Sequence, residues 1–160
     1  MKILVLLSSV ATIILLIIAT LNETVTVKWK GYQKAYRKEL LSRAKTDRDR
    51  KTAKITINLQ QIYLPALNRT DRCVTCHIGI ENPKMAKAEQ PIKAHSGNIF
   101  KHHPLNKFGC TVCHDGQSYA TETSAAHGEV EFWPQPLLRG NLVYTSCGRS
   151  EEHTSELQSR

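Results

Sequence analysis

The sequence predicts a mainly α-helical chain with much irregular loop, and three observations support this prediction. Residues 3–21 are apolar apart from four Ser and Thr side chains, which is typical of a membrane-spanning helix. Residues 28–50 repeat apolar side chains at intervals of three and four on a charged background, as an amphipathic helix does. Beyond residue 65 prolines recur and long periodic runs are rare, so short helices and loops are expected there.

The apolar segment at the N-terminus is long enough for a bilayer. At a rise of about 1.5 Å per residue, a helix over residues 3–21 is about 28 Å long. A cleaved signal peptide is the alternative, because Lys2 provides a minimal basic start. The apolar run is long for a signal peptide, however, and no convincing A-x-A cleavage site follows it. We therefore assign residues 1–22 to a transmembrane signal-anchor.

Residues 23–54 are predicted to form a basic amphipathic helical linker. Its apolar stripe consists of Trp29, Tyr32, Tyr36, Leu40 and Ala44. The stripe suits either an interfacial anchor or a helix that packs against the rest of the chain. Farther on, residues 55, 57 and 59 are apolar and alternate with polar neighbours, which predicts a short strand that a proline at position 65 ends.

The formal net charge of +8 is concentrated in this linker. Residues 28–54 contain eleven Lys and Arg against three acidic residues, whereas residues 55–148 contain eight against seven. Such a basic segment can contact anionic lipid headgroups or an acidic partner, or it can be an ordinary solvated helix. We expect no nucleic-acid partner, because an exported protein rarely meets nucleic acid.

The sequence C-x-x-C-H occurs twice and is the attachment signature of a c-type haem. Its residues are Cys73, Cys76 and His77 in the first copy, and Cys110, Cys113 and His114 in the second. Two thiols at this spacing can bond the two vinyl groups of a porphyrin while the adjacent imidazole ligates the iron. A four-cysteine zinc site is a weaker interpretation, because 33 residues separate the pairs and zinc does not require the histidines. A thioredoxin-like dithiol lacks its βαβ context.

The second iron ligands are expected among the remaining histidines. His95, His103 and His127 are the candidate distal ligands, and each would complete a haem site. We prefer His103 to its neighbour His102, because the following proline restricts its backbone. Met85 is the competing soft ligand, and a His/Met haem would have a higher potential than a bis-histidine one.

Residues 55–148 are predicted to be a small multihaem domain organised around its haems. The segment carries few long apolar runs, so the porphyrins would supply much of the missing core. Without haem we expect this region to fold poorly, because the entropy lost on ordering the loops has too little to offset it.

The last residues of the chain have a different origin in our interpretation. Residues 149–160 resemble the in-frame translation of a DNA sequencing adapter, and we exclude them from the fold and the function. We expect the natural protein to continue beyond this point. Cys147 is then the start of a third C-x-x-C-H motif, with a lone thiol as the alternative.

Residues 71–80 (DRCVTCHIGI) and 103–117 (HPLNKFGCTVCHDGQ) resemble bacterial membrane-anchored multihaem cytochromes c. The resemblance extends over residues 1–148, and it implies bis-histidine haems of low potential and further haems beyond the first two. Some members of this family are associated with quinol-oxidising membrane complexes. Asp115 and Gly116 stand where a glycine pair was expected, which affects none of the haem residues.

The function predicted from the sequence is electron transfer without chemical conversion of a substrate. The localisation predicted is the bacterial inner membrane, with a single span and the haem domain in the periplasm. Basic residues after the span favour the opposite orientation, but covalent haem is normally attached outside the cytoplasm, and domains translocate despite their charge. The rival interpretations are a multihaem reductase of a small nitrogen or sulfur oxyanion and a structural domain that holds haem or zinc.

Overall fold

The computed structural model describes residues 2–25 and 27–146, and its regular elements are mainly helical. The α-helices are α1 (Lys2–Val25), α2 (Lys28–Ser42), α3 (Asp47–Thr52), α4 (Ile99–His102), α5 (Leu105–Phe108), α6 (Thr111–His114) and α7 (Thr123–Ala126). The strands are β1 (Ile62–Leu64) and β2 (Arg69–Asp71), and short 3-10 helices span Pro65–Leu67, Cys73–Thr75, Pro83–Met85 and Gly140–Tyr144. The predicted mainly α class is confirmed.

Helix α1 carries its apolar side chains on the outside. None of its described residues is buried, and the helix is long and apolar enough to cross a membrane, a property that signal sequences share. Its hydroxyl groups are bonded within the helix: Ser9 Oγ donates to the Val5 carbonyl at 2.8 Å and Thr12 Oγ1 to the Ser8 carbonyl at 2.9 Å. The polar atoms are therefore compatible with an apolar solvent. The helix extends over Lys2–Val25 in the described part of the chain.

The prediction of one continuous helix over residues 28–50 is wrong, because two helices occupy this segment. Helix α2 ends at Ser42, and α3 begins after a cap at Thr46. The Thr46 side chain accepts a hydrogen bond from the Asp49 backbone, and the Asp49 carboxylate accepts one from the Thr46 backbone, each at 3.1 Å. This capping box specifies a new helix start, which the apolar period alone does not reveal.

The apolar stripe of α2 packs against the body of the protein. Trp29 and Tyr36 are buried, and Tyr36 forms a core cluster with Met85 and Ile92. Of the two roles considered for the stripe, the structure therefore shows packing. Tyr36 is also a polar contact, because its hydroxyl accepts a hydrogen bond from Asn82 Nδ2 at 2.9 Å.

The strand predicted at residues 55–59 is not formed. The strands are β1 and β2, which pair antiparallel with Ile62 opposite Asp71, and Pro65 begins the connection between them. In the segment before β1, side chains bind the backbone instead. The backbone amide of Asn58 donates to Gln33 Oε1 at 3.0 Å, and the backbone amide of Gln60 donates to Thr75 Oγ1 at 3.0 Å. A side-chain partner has replaced the neighbouring strand.

Candidate haem-binding site

Each C-x-x-C-H sequence folds into one helical turn, and the two turns have the same hydrogen bonds. In motif 1 (residues 73–77), the amide of His77 donates to the Cys73 carbonyl at 2.9 Å. In motif 2 (residues 110–114), the amide of His114 donates to the Cys110 carbonyl at 2.9 Å. A turn of this kind brings the two thiols and the imidazole of a motif close together, as attachment to one porphyrin requires.

Asp71 joins the two motifs. Its Oδ1 accepts a hydrogen bond from the Cys73 amide at 3.0 Å, and its Oδ2 accepts from Cys110 at 2.7 Å and Thr111 at 2.9 Å. The side chain is fully buried at the end of β2. One carboxylate therefore satisfies the first amides of both turns and holds the turns side by side.

Gly109 allows motif 2 to approach Asp71 closely. Its φ of +65° lies in the left-handed region, and a Cβ there would stand 2.8 Å from Leu64 Cδ1 and 3.0 Å from Asp71 Oδ2. Both the backbone conformation and the lack of space therefore favour glycine at this position. The contact ties motif 2 to the strand pair that carries Asp71.

The first cysteines of the two motifs meet beside this carboxylate. The ligand atoms of Asp71, Cys73 and Cys110 lie within 4.8 Å of one another, a cluster that could suggest a metal ion. The hydrogen bond with Cys110, followed by burial, raises the pKa of the Cys73 thiol far above its usual range. Burial, followed by the charge of Glu122, raises the pKa of Cys76 to about 11.

The hydrogen bonds of Asp71 weigh against a zinc ion at this cluster. The Asp71 oxygens are already occupied by three amide hydrogen bonds, so the carboxylate is poorly placed to ligate a metal as well. The four cysteines in the described part of the chain are all outside disulfides.

Four of the predicted histidines form two close pairs, whose ring planes meet at 35° in one pair and at 62° in the other. The ring centroids of His77 and His127 are 6.5 Å apart, and those of His95 and His114 are 6.2 Å apart. Because a bond from a metal to an imidazole nitrogen is about 2.0 Å long, two imidazoles on opposite sides of one metal ion have centroids roughly 6 Å apart. Both separations fit the axial ligands of one iron. Each pair combines a motif histidine with a predicted distal histidine.

The ring nitrogens of one pair are oriented for ligation. His114 Nδ1 lies 3.1 Å from the Leu138 carbonyl, and His95 Nδ1 lies 2.7 Å from the Ser96 carbonyl. Since a carbonyl only accepts, Nδ1 is the donor in both rings, and in a neutral imidazole with this tautomer Nε2 is the nitrogen whose lone pair can bind a metal. Backbone carbonyls are common partners of metal-ligating histidines.

His77 has a similar environment in the other pair. Burial, and secondarily the neighbouring His127, lower the pKa of His77, which favours the neutral ring that binds metals. The nearby backbone of Pro91, which has only a carbonyl to offer, opposes in part the lowering of the His77 pKa. Gly79 lets the segment that contains Pro91 and Ile92 lie close to motif 1, because a Cβ at position 79 would collide with the Ile92 carbonyl.

Loop hydrogen bonds bring His127, a candidate distal ligand, close to motif 1. After motif 2 the chain turns back, with the Ser118 carbonyl accepting from the Arg72 amide at 2.8 Å and the Ala126 carbonyl from Gln117 at 2.9 Å. The first contact places this loop beside motif 1, and the second closes it just before His127. The turn requires glycine at position 116, because its φ is +85° and a Cβ there would lie only 2.5 Å from the Ala126 carbonyl oxygen.

The remaining candidate residues lie elsewhere. His102 and His103 are exposed, and the edge of the His103 ring meets Phe108 with centroids 5.1 Å apart. Met85 is fully buried in the core cluster with Tyr36, where its side chain serves packing. Cys147 lies outside the described residues, so the structure does not bear on the third motif.

Several residues of the site were missed in the sequence. Asp71 stands two positions before Cys73, where a short acidic side chain commonly caps a following turn, and this was the available signal. Gln33 was not singled out in the sequence, although it is fully buried and its Nε2 donates to the Thr75 carbonyl at 2.9 Å. The carbonyls of Pro91 and Leu138 had no sequence signal, because any residue supplies a carbonyl.

A cleft of about 530 Å³ opens beside motif 1. Its walls include Val74 and Ile78 from the region of the motif, and Phe100, whose ring packs against His95. Its lining includes none of the motif cysteines and none of the four paired histidines, so we do not assign this cleft to a porphyrin. No family model, curated protein or solved structure matches this chain.

Proposed function

We propose that this chain is an electron-transfer protein that binds at least two c-type haems. The observation that carries the proposal is the pairing of four imidazoles at 6.5 Å and 6.2 Å, with one member of each pair in a C-x-x-C-H turn. Paired thiols alone would also suit other cofactors. Paired thiols combined with opposed imidazoles are what a covalently attached, bis-histidine haem requires.

The residues fit the group at two sites. In the first, Cys73 and Cys76 would hold the porphyrin, with His77 and His127 as axial ligands. In the second, Cys110 and Cys113 would hold the porphyrin, with His114 and His95 as axial ligands. When bound, haem supplies reversible one-electron chemistry at its iron. The chain supplies the thioether and imidazole ligands, their orientation through backbone carbonyls, and the close spacing of the two turns.

The paired imidazoles favour a carrier over an enzyme. An enzyme that reduces a small oxyanion needs a coordination position that its substrate can take. Each motif histidine in the described part of the chain instead faces a second imidazole. A third site that would use Cys147 remains a prediction, as does the role of His103 as a distal ligand.

We also propose a single-span membrane protein with its haem domain in the bacterial periplasm. The exposed apolar surface of α1 supports a membrane anchor, and covalent haem attachment supports the periplasmic side. The basic linker would then lie near the membrane surface. The partners we propose are redox proteins at that membrane, including a quinol-oxidising complex.

The full chain, produced in a host that attaches c-type haem, tests the proposal. We expect covalent haem at both motifs by peptide mass spectrometry, a low-spin optical spectrum and reversible reduction. Carbon monoxide should leave the Soret band of the reduced protein nearly unchanged, because both axial positions are filled. A chain without covalent haem would contradict the proposal, and a strong carbon monoxide shift would contradict ligand saturation.

A further inference from the structure

The Asp71 carboxylate is buried with hydrogen-bond donors around it but without a positive counter-charge. The side chain is fully buried, and no Lys, Arg or His in the described part of the chain forms an ion pair with it. Removing a carboxylate from water is costly, and a positive counter-charge is the usual compensation. The amides of Cys73, Cys110 and Thr111 supply hydrogen bonds but no net positive charge.

The position of the carboxylate suggests that the haem irons provide its positive counter-charge. Its oxygens contact the first residue of both attachment turns, and the Cys73 and Cys110 thiols meet beside it. A bis-histidine haem carries one more positive charge when its iron is ferric than when it is ferrous. A nearby anion therefore stabilises the oxidised form, and it does so more strongly where water is excluded.

We propose that Asp71 is a positioning residue shared by two haems, which places the first cysteine of each motif and lowers the reduction potential of both haems together. This inference rests on the proposed function, because it requires haem at both motifs. It separates two roles of one side chain. The hydrogen bonds to the Cys73 and Cys110 amides set the spacing of the turns, and the negative charge sets the potentials.

The Asp71→Asn substitution in the haem-loaded full chain tests the electrostatic role. The amide oxygen can still accept from Cys110 and Thr111, but the charge is lost. We expect two haems per chain and higher midpoint potentials for both in a spectroelectrochemical titration. The control is Asp115→Asn, which removes a charge directly after His114. This variant should leave the potential of the motif 1 haem unchanged, so any rise should be confined to the motif 2 haem.

The Asp71→Ala substitution tests the positioning role. Peptide mapping of the variant should show fewer thioether bonds at Cys73 and Cys110, whose amides lose their acceptor, than at Cys76 and Cys113. An equal loss at all four cysteines would overturn the positioning role, because general unfolding has no preference for the first cysteine of a motif.

The results also separate this inference from the proposed function. Failure of the wild-type chain to bind covalent haem would refute both. Two bound haems in the wild type, with both potentials unchanged by Asp71→Asn, would refute the shared electrostatic role alone. A rise confined to one haem would also refute it, since the carboxylate contacts both turns.

Discussion

The two attachment turns share their internal hydrogen bonds but differ in what surrounds them. Motif 1 is held by the N-terminal part of the chain: Thr75 is fully buried, and its carbonyl accepts from Gln33 of α2 at 2.9 Å. Motif 2 is held by a loop on its far side, where the Leu138 amide donates to the His114 carbonyl at 2.7 Å. Asp71 is the contact that both turns share.

This difference predicts how much each turn depends on the proposed haem. The contacts of motif 1 come from α2, whose aromatic side chains pack into the core cluster. Besides Asp71 of the strand pair, the contacts of motif 2 come from the loop of residues 135–138. Local stability follows buried apolar contacts and protected hydrogen bonds. We therefore expect motif 1 to keep its fold without haem more readily than motif 2.

The largest effect should come from removing the thiols of one motif at a time. Cys110→Ala with Cys113→Ala should abolish covalent haem at motif 2 and make residues 109–138 sensitive to protease. Cys73→Ala with Cys76→Ala should abolish it at motif 1 and leave the surrounding backbone protected. Haem content and limited proteolysis measure both outcomes. Equal protease sensitivity in the two variants would show that the comparison between the motifs is wrong.

Removing one distal imidazole should change the spin state of one haem. His127→Ala should convert the motif 1 haem to a high-spin form that binds carbon monoxide, and His95→Ala should do the same at motif 2. The exposed His102 provides the control, because His102→Ala should leave both haems low-spin. Electron paramagnetic resonance distinguishes the states. A low-spin spectrum in His127→Ala would remove His127 as the partner of His77.

The contacts of motif 1 with α2 should have a measurable free energy. Gln33→Ala removes the partners of the Thr75 carbonyl and of the Asn58 amide and carbonyl. Leaving such buried groups unpaired should lower the free energy of unfolding by about 2–3 kcal/mol. The exposed neighbour Lys34 provides the control, and Lys34→Ala should change it by less than about 0.5 kcal/mol. Denaturant unfolding followed by circular dichroism measures the free energy of unfolding of both variants. Equal effects would show that the contacts of Gln33 do not stabilise motif 1.

The smallest effect should concern the helix that precedes His127. Hydrogen bonds from the Ser124 side chain and the Ala125 backbone lower the pKa of Glu122 from 4.5 to about 2. A lowered pKa in the folded state means that Glu122 stabilises the protein fully above pH 4.5 and loses this effect as the pH falls towards about 2. Because the side chain is exposed, the effect should be small.

The Glu122→Gln substitution should therefore flatten the fall in thermal midpoint between pH 4.5 and about 2. Glu131→Gln, which removes an exposed carboxylate outside α7, is the control for the change in net charge. Thermal unfolding in a pH series provides the measurement. A slope that Glu122→Gln leaves unaltered would mean that the cap contributes nothing to acid stability.

Much of the fold could be predicted from the sequence, but only where a local pattern decides it. The apolar run of α1 and the stripe of α2 are periodic and therefore visible. The break before α3 was missed because the capping box of Thr46 and Asp49 overrides the apolar period. The strand was misplaced because alternation at residues 55–59 does not say whether a partner strand is available, and side chains of Gln33 and Thr75 bind that backbone instead.

The sequence by itself determined which chemical groups this chain carries, since the C-x-x-C-H spacing, the supply of histidines and the apolar N-terminal run are properties of neighbouring residues. Only the tertiary structure decided which imidazoles face each other, with His77 opposite His127 and His114 opposite His95. It also revealed Asp71 between the two turns. The physical reason is that these contacts join residues far apart in the chain, and loop closure rather than local spacing brings them together.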